Sequence, residues 1–151
     1  MKEGKNSKLI NDLVSEPIAV YLAGLSQSGP SSGLIEFARK GVTMQYVIHL
    51  GHRLGLTLQH IANILHVSLR TLQRYPLDKK LDTDQSSKAI LLANLHKRGV
   101  EVFGSDEAFG EWLNSPVPYL HGKRPLTYLD TPFGFDLLVQ VLGRIEHGIF
   151  A

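Results

Sequence analysis

The sequence predicts an all-α fold, and three observations carry that expectation. Apolar residues recur at helical spacing in several separate stretches. The starts and stops of those stretches carry capping residues, prolines and glycines in the places helices favour. No stretch shows the two-residue alternation of apolar and polar side chains that a half-buried strand requires.

The most informative stretch runs from Leu56 to Tyr75 and holds two helix starts within a dozen residues. Thr57 and Ser68 are N-cap types whose side-chain oxygens accept an orphan backbone N–H. Each is flanked by a staple pair, Leu56 with Ile61 and Val67 with Leu72. One helix is expected from about Leu58 to Leu65. A second starts at Leu69 and ends near Tyr75, where Pro76 stops it. The three-residue turn between them has helix-turn-helix spacing, with His66 where many such motifs place glycine. Leu58, Ile61, Ala62 and Leu65 are expected to form the apolar stripe of the first helix, with Val67, Leu72 and Tyr75 packing back on it.

The opposite face of the second helix then carries Arg70, Gln73 and Arg74 at i, i+3 and i+4. Arginine and glutamine match the edges of guanine and adenine in the major groove. Ser68, Arg70, Thr71, Gln73 and Arg74 are therefore the candidate DNA-contacting residues. The alternative is a helical bundle whose arginines merely solvate its outside.

Residues 1–9 read as disordered, Leu13 to Leu25 as partly helical, and 26–33 as a Ser/Gly/Pro loop. A short apolar segment, Leu34 to Ala38, leads to Arg39-Lys40-Gly41. Thr43 caps a helix with Val47, Leu50 and Leu54 on one side and Gly55 at its end. After a polar connector, a long helix is expected from about Gln85 to Phe103, with Gly99 marking a close helix crossing and Gly104 closing it. Ser105, followed by Asp106 and Glu107, opens the next helix with acids suited to its dipole. Ala108, Phe109, Trp112 and Leu113 form its buried side; Phe109 with Trp112 reads as core before interface. Pro118 to Arg124 is a loop and Pro125 to Leu129 one or two turns. Thr131-Pro132 starts the last helix, with proline at its preferred first position. Leu138, Val141, Leu142 and Ile145 make its stripe and Gly148 closes it, leaving the apolar tripeptide Ile149-Phe150-Ala151 and a carboxylate.

Composition sets further bounds. An apolar fraction of 43% over 151 residues supports a real core. The absence of cysteine excludes disulfides and thiolate metal sites and suits a reducing, cytoplasmic setting. No secretory signal and no membrane-spanning run are expected. The net charge of +2 divides unevenly: residues 1–80 hold 10 Lys or Arg against 5 Asp or Glu, residues 81–151 hold 6 against 9. The basic excess thus accompanies the helix-turn-helix, where phosphate would need it. His49 and His52 lie three apart and can share an ion, but no carboxylate at matching spacing accompanies them, so no metal or other cofactor is expected. Glu101, Glu107 and Glu111 make a charged face without evident chemistry. With no nucleophile elbow and no phosphate-binding glycine loop, an enzyme is not expected.

The C-terminal half carries a second, longer pattern. Phe103-Gly104, Trp112 to Pro116, Leu120, Gly122, Pro125-Leu126, Asp130-Thr131, Gly134 and Leu142 to Ala151 together resemble the Xre/MbcA/ParS-type toxin-binding domain. Arg70 to Tyr75 and Leu81 to Ser86 resemble the Xre-like DNA-binding domain of the same antitoxins, so the likeness spans roughly residues 40–151. It departs from that pattern at Val117, His121, Phe133 and Phe135. The resemblance implies a type II antitoxin that forms a homodimer, represses its own operon by binding operator DNA, and neutralises a cognate RES-domain toxin that degrades NAD⁺. It also implies that the C-terminal end obstructs the toxin's active site, a role that falls here on Arg144, Ile145, His147, Gly148, Ile149, Phe150 and Ala151. The expected layout is an N-terminal extension over 1–33, a helix-turn-helix domain over 34–80, and a toxin-binding and dimerisation domain over 81–151. The competing reading is a helix-turn-helix regulator or adaptor with no toxin partner.

Overall fold

The computed structural model of the protein describes residues 32–149. The expectations for residues 1–31, and for Phe150 and Ala151, lie outside that range. The described chain is helical, with a lone antiparallel bridge between Thr43 and Lys80 in place of any strand among the described residues. Its helices are α1 (Ser32–Lys40), α2 (Met44–Arg53), α3 (Leu58–Leu65), α4 (Leu69–Arg74), α5 (Thr83–Phe103), α6 (Asp106–Asn114) and α7 (Pro132–Glu146). Single 3-10 turns occupy Pro118–Leu120 and Pro125–Tyr128.

The capping residues set most of these boundaries. Thr57 Oγ1 accepts the His60 N–H at 3.2 Å, and His60 Nδ1 accepts the Thr57 N–H at 3.1 Å, closing a capping box on α3. Ser68, Asp82, Ser105 and Thr131 each accept an N–H three residues on, opening α4, α5, α6 and α7. The segment Leu34–Ala38 is not an isolated apolar patch but the middle of α1, which begins at Ser32 and so takes in the last two residues expected as loop.

The 21-residue helix α5 is the beam of the structure. It packs against α1 and α3 on the N-terminal side and against α6 and α7 on the C-terminal side. Gly99 is the crossing point: a Cβ there would come within 2.4 Å of the Phe109 ring, which is fully buried. Phe103, Phe109 and Trp112 form a three-ring cluster with centroids 5.5 to 6.0 Å apart, Phe109 stacked on both neighbours and Phe103 tilted against Trp112. Trp112 remains half-exposed, its Nε1 donating to the Tyr119 hydroxyl at 3.0 Å.

The two halves form one body rather than beads on a linker. Arg53 at the end of α2 and His96 on α5 both bond Asp106 in the first turn of α6, at 2.8 and 2.6 Å. Burial pushes the Asp106 carboxyl up, but the bonds from His96 and Arg53 outweigh it and hold the group below its ordinary value. Residues 77–81 are strapped to the start of α2 by backbone bonds from Met44 to Lys79, Gln45 to Leu77 and Leu81 to Val42, all 2.8 to 2.9 Å. Buried Ser86 completes the strap, accepting the Val42 N–H and donating to the Leu81 carbonyl.

Candidate functional site

The helix-turn-helix forms at the expected residues. His66 takes the left-handed conformation, φ 56 and ψ 43, in the place where glycine is usual. Its strain is supported from outside the motif: His66 Nε2–H donates to the Asp130 carbonyl at 2.5 Å, tying the turn to the loop before α7. That contact, 64 residues away in sequence, had no local signal.

One feature of the apolar stripe is corrected. Ile61, Ala62, Ile64 and Leu65 are buried, whereas Leu58 is 42% exposed. Helical spacing permits either phase, and tertiary packing selects the one that buries Ile64, which lines a cleft with Leu126 and Leu129.

On α4 only Leu72 is buried, and it anchors the helix against α3. Arg70, Thr71, Gln73 and Arg74 are all exposed on the remaining face. Among the described residues, the side chains of Arg70, Gln73 and Arg74 make no hydrogen bond or ion pair. Ser68 is committed to the cap, accepting the Thr71 N–H at 3.0 Å and donating its hydroxyl to Thr71 Oγ1 at 2.9 Å. The Thr71 hydroxyl keeps its own hydrogen for another acceptor. Just beyond the helix, Lys79 Nζ lies 4.8 Å above the Tyr75 ring.

At the other end of the chain, α7 buries Phe135, Leu138, Val141 and Leu142 and half-buries Ile145. Arg144, His147, Gly148 and Ile149 are exposed, Ile149 by 67%. The helix closes in a Schellman motif: Ile149 N–H bonds the Arg144 carbonyl at 2.9 Å and Gly148 N–H the Ile145 carbonyl at 3.0 Å. Gly148 has φ 71, the left-handed geometry that motif requires. The chain is thereby turned off the helix axis with Ile149 facing solvent. Of the seven residues expected at this end, five are brought together here and Phe150 and Ala151 lie outside the described range.

The departures from the antitoxin pattern have structural counterparts. His121 adopts φ 57, the conformation that glycine would take most easily. Val117 and Phe135 are buried, whereas Phe133 is 83% exposed on the first turn of α7.

A cleft of about 360 Å³ lies between α3 and the Pro125–Tyr128 turn, lined by Leu56, His60, Ile64, Arg124, Leu126 and Leu129 among others. It includes none of the candidate residues of α4 or of the C-terminal end. Burial, and then the nearby Arg124, lower the His60 pKa, and its Nδ1 accepts the Thr57 N–H in the α3 capping box. His49 is lowered too, by burial and then by Arg53 and His52, and its buried Nε2 has no hydrogen-bond partner. Among the described residues no group of three or more His, Asp or Glu side chains is arranged to hold a metal ion. No described helix is long and apolar enough to cross a membrane.

Residues 33–94 match the antitoxin Xre-like helix-turn-helix domain. Residues 98–148 match the antitoxin Xre/MbcA/ParS C-terminal toxin-binding domain. The two matches meet inside α5, so this helix serves both halves. An Antitoxin Xre of Photorhabdus laumondii is 26% identical over 137 residues, 89% of this chain and 91% of that protein. An Antitoxin Xre of Yersinia enterocolitica is 25% identical over 75 residues, and a Prs ADP-ribosylating antitoxin of a Sphingobium species 29% over 83. Those two alignments take in about half of this chain and 51% and 52% of the relatives' length. In fold, the chain is similar to one in the crystal structure of the M. tuberculosis MbcT-MbcA toxin-antitoxin complex. There the TM-score is 0.53 and the identity 20%, over 72% of this chain and 96% of that one.

Proposed function

This chain belongs to the Xre/MbcA/ParS antitoxin family of type II toxin-antitoxin systems, and we propose that it neutralises a RES-domain toxin and represses its own operon. The toxin's chemistry is degradation of NAD⁺, and Arg144 to Ala151 obstruct its active-site cleft. A second face, Ser68, Arg70, Thr71, Gln73 and Arg74, binds operator DNA as part of a homodimer in the cytoplasm. The protein itself contributes binding rather than catalysis.

The observation that carries this reading is the end of α7. A helix stopped by a Schellman motif presents an exposed isoleucine and a basic residue one turn back, Arg144. An apolar stub beside positive charge is complementary to a cleft shaped for an anionic dinucleotide. At α4, two arginines and a glutamine without internal partners are available for base edges and phosphates.

The test separates the two ends. Cells carrying the toxin are supplied with the full chain, with a chain shortened after His147, or with the double variant Arg70→Ala, Arg74→Ala. The shortened chain is expected to lose protection and keep operator binding, and the double variant to do the reverse. Protection by the shortened chain would refute the stub as the blocking element, and failure of the full chain to protect would favour a regulator without a toxin partner.

A further inference from the structure

We propose that Arg98 and Glu146 act as a positioning pair, which fixes the direction in which the chain leaves α7 at Ile149. The inference rests on the toxin-binding reading above and adds to it the device that aims the stub.

Glu146 is the last residue of α7, where the helix dipole disfavours negative charge. A glutamate there needs a compensating partner, and Arg98 supplies it from α5, 48 residues away in sequence. Arg98 Nη2 donates to a Glu146 carboxylate oxygen, while Nη1 reaches Glu101 at 3.4 Å. The bond to Arg98 holds the Glu146 carboxyl below its ordinary value. One residue earlier, Ile145 packs against the core. The final turn is thus held at two adjacent points, to the core by Ile145 and to α5 by Glu146, immediately before the Schellman bonds of Gly148 and Ile149 turn the chain.

Both partners of the pair are partly exposed to solvent, so it contributes little to folding. Its effect lies in orientation. A turn free to rock on Ile145 alone would spread the stub over many directions, and binding would have to select the productive one.

The experiment measures toxin affinity by calorimetry for Arg98→Glu, Glu146→Arg and the exchanged double variant, each in the full chain and in a chain shortened after His147. In the full chain each single reversal is expected to weaken binding about fivefold. The double variant returns it to within about twofold, as does Arg98→Lys, which keeps the charge. In the shortened chain neither reversal changes the residual affinity, and operator binding is unaltered throughout. A double variant as weak as the singles would mean direct contact with the toxin and would overturn the inference. So would single reversals without effect in a full chain whose stub is needed, or equal losses in full and shortened chains. A shortened chain that binds as well as the full one overturns the stub reading itself, and the positioning role with it.

Discussion

The two candidate ends of this molecule are both short helical features, yet they are held in different ways. Helix α4 has six residues and is braced on several sides: the Ser68 cap, buried Leu72, and the strap that follows it. His66 locks the preceding turn to Asp130 in the other half. The end of α7 is held by Ile145, the Arg98–Glu146 pair and a two-bond Schellman turn that leaves Ile149 exposed. A surface that reads a duplex must keep several side chains in fixed register. A stub that enters a cleft needs only a direction, because the cleft supplies the rest.

The largest way to break this contrast lies under α7. A Cβ on Gly134 would fall 1.5 Å from the Tyr128 carbonyl oxygen, so Gly134→Val must displace the first turn of the helix. A stability loss of at least ~3 kcal/mol is expected in urea unfolding, with toxin affinity falling alongside. A variant as stable as the parent would mean that the Pro125–Tyr128 turn does not seat α7.

Next comes the DNA face. Arg70→Ala with Arg74→Ala is expected to cost about 1–3 kcal/mol for each base edge no longer bonded. The salt slope should become shallower by about one for each phosphate no longer held. Toxin affinity should not move. An unchanged operator affinity would remove α4 as the reading helix.

Caps give a smaller effect that sharpens the comparison. Ser68→Ala should lower stability by ~1 kcal/mol and loosen operator binding, since the hydroxyl caps α4 and also bonds Thr71. Thr131→Ala should cost a similar amount at α7 without weakening operator binding. Thermal unfolding and operator titration distinguish them.

The pH dependence is the most gradual expectation. His49 and His60 both have lowered pKa values in the fold, so the unfolded chain takes up their protons first. Stability therefore falls as pH drops below the ordinary histidine value, about 6.5. His49→Leu, which also removes a buried unpaired nitrogen, should flatten that fall between pH 7 and 5. Asp106 acts lower down: its lowered value gives stability that is present above about pH 4 and disappears as pH falls through the folded value. Arg53→Ala should reduce this acid-range component in pH-dependent melting.

Local chemistry is what made the fold legible. Thr57, Ser68 and Thr131 mark their helices because a cap acts within three residues of itself. Gly99 could be read as a crossing because a glycine inside a long helical pattern needs a reason. The His66–Asp130, Arg53–Asp106–His96 and Arg98–Glu146 contacts leave no such mark. Each joins elements whose relative placement depends on the whole core, and no sequence period encodes it. Leu58 fits the apolar period yet stays exposed for the same reason: the period fixes the spacing of a face, while tertiary packing decides which phase is covered. Of the candidate sites, α4 is legible through residue types and caps, and the end of α7 through family resemblance rather than spacing.

Where the C-terminal stub goes is the central claim, and a crystal structure of the chain bound to its toxin would show it. Ile149 and Phe150 are expected inside the toxin's active-site cleft, with Arg144 beside its rim. The same residues lying in solvent over an open cleft would contradict it.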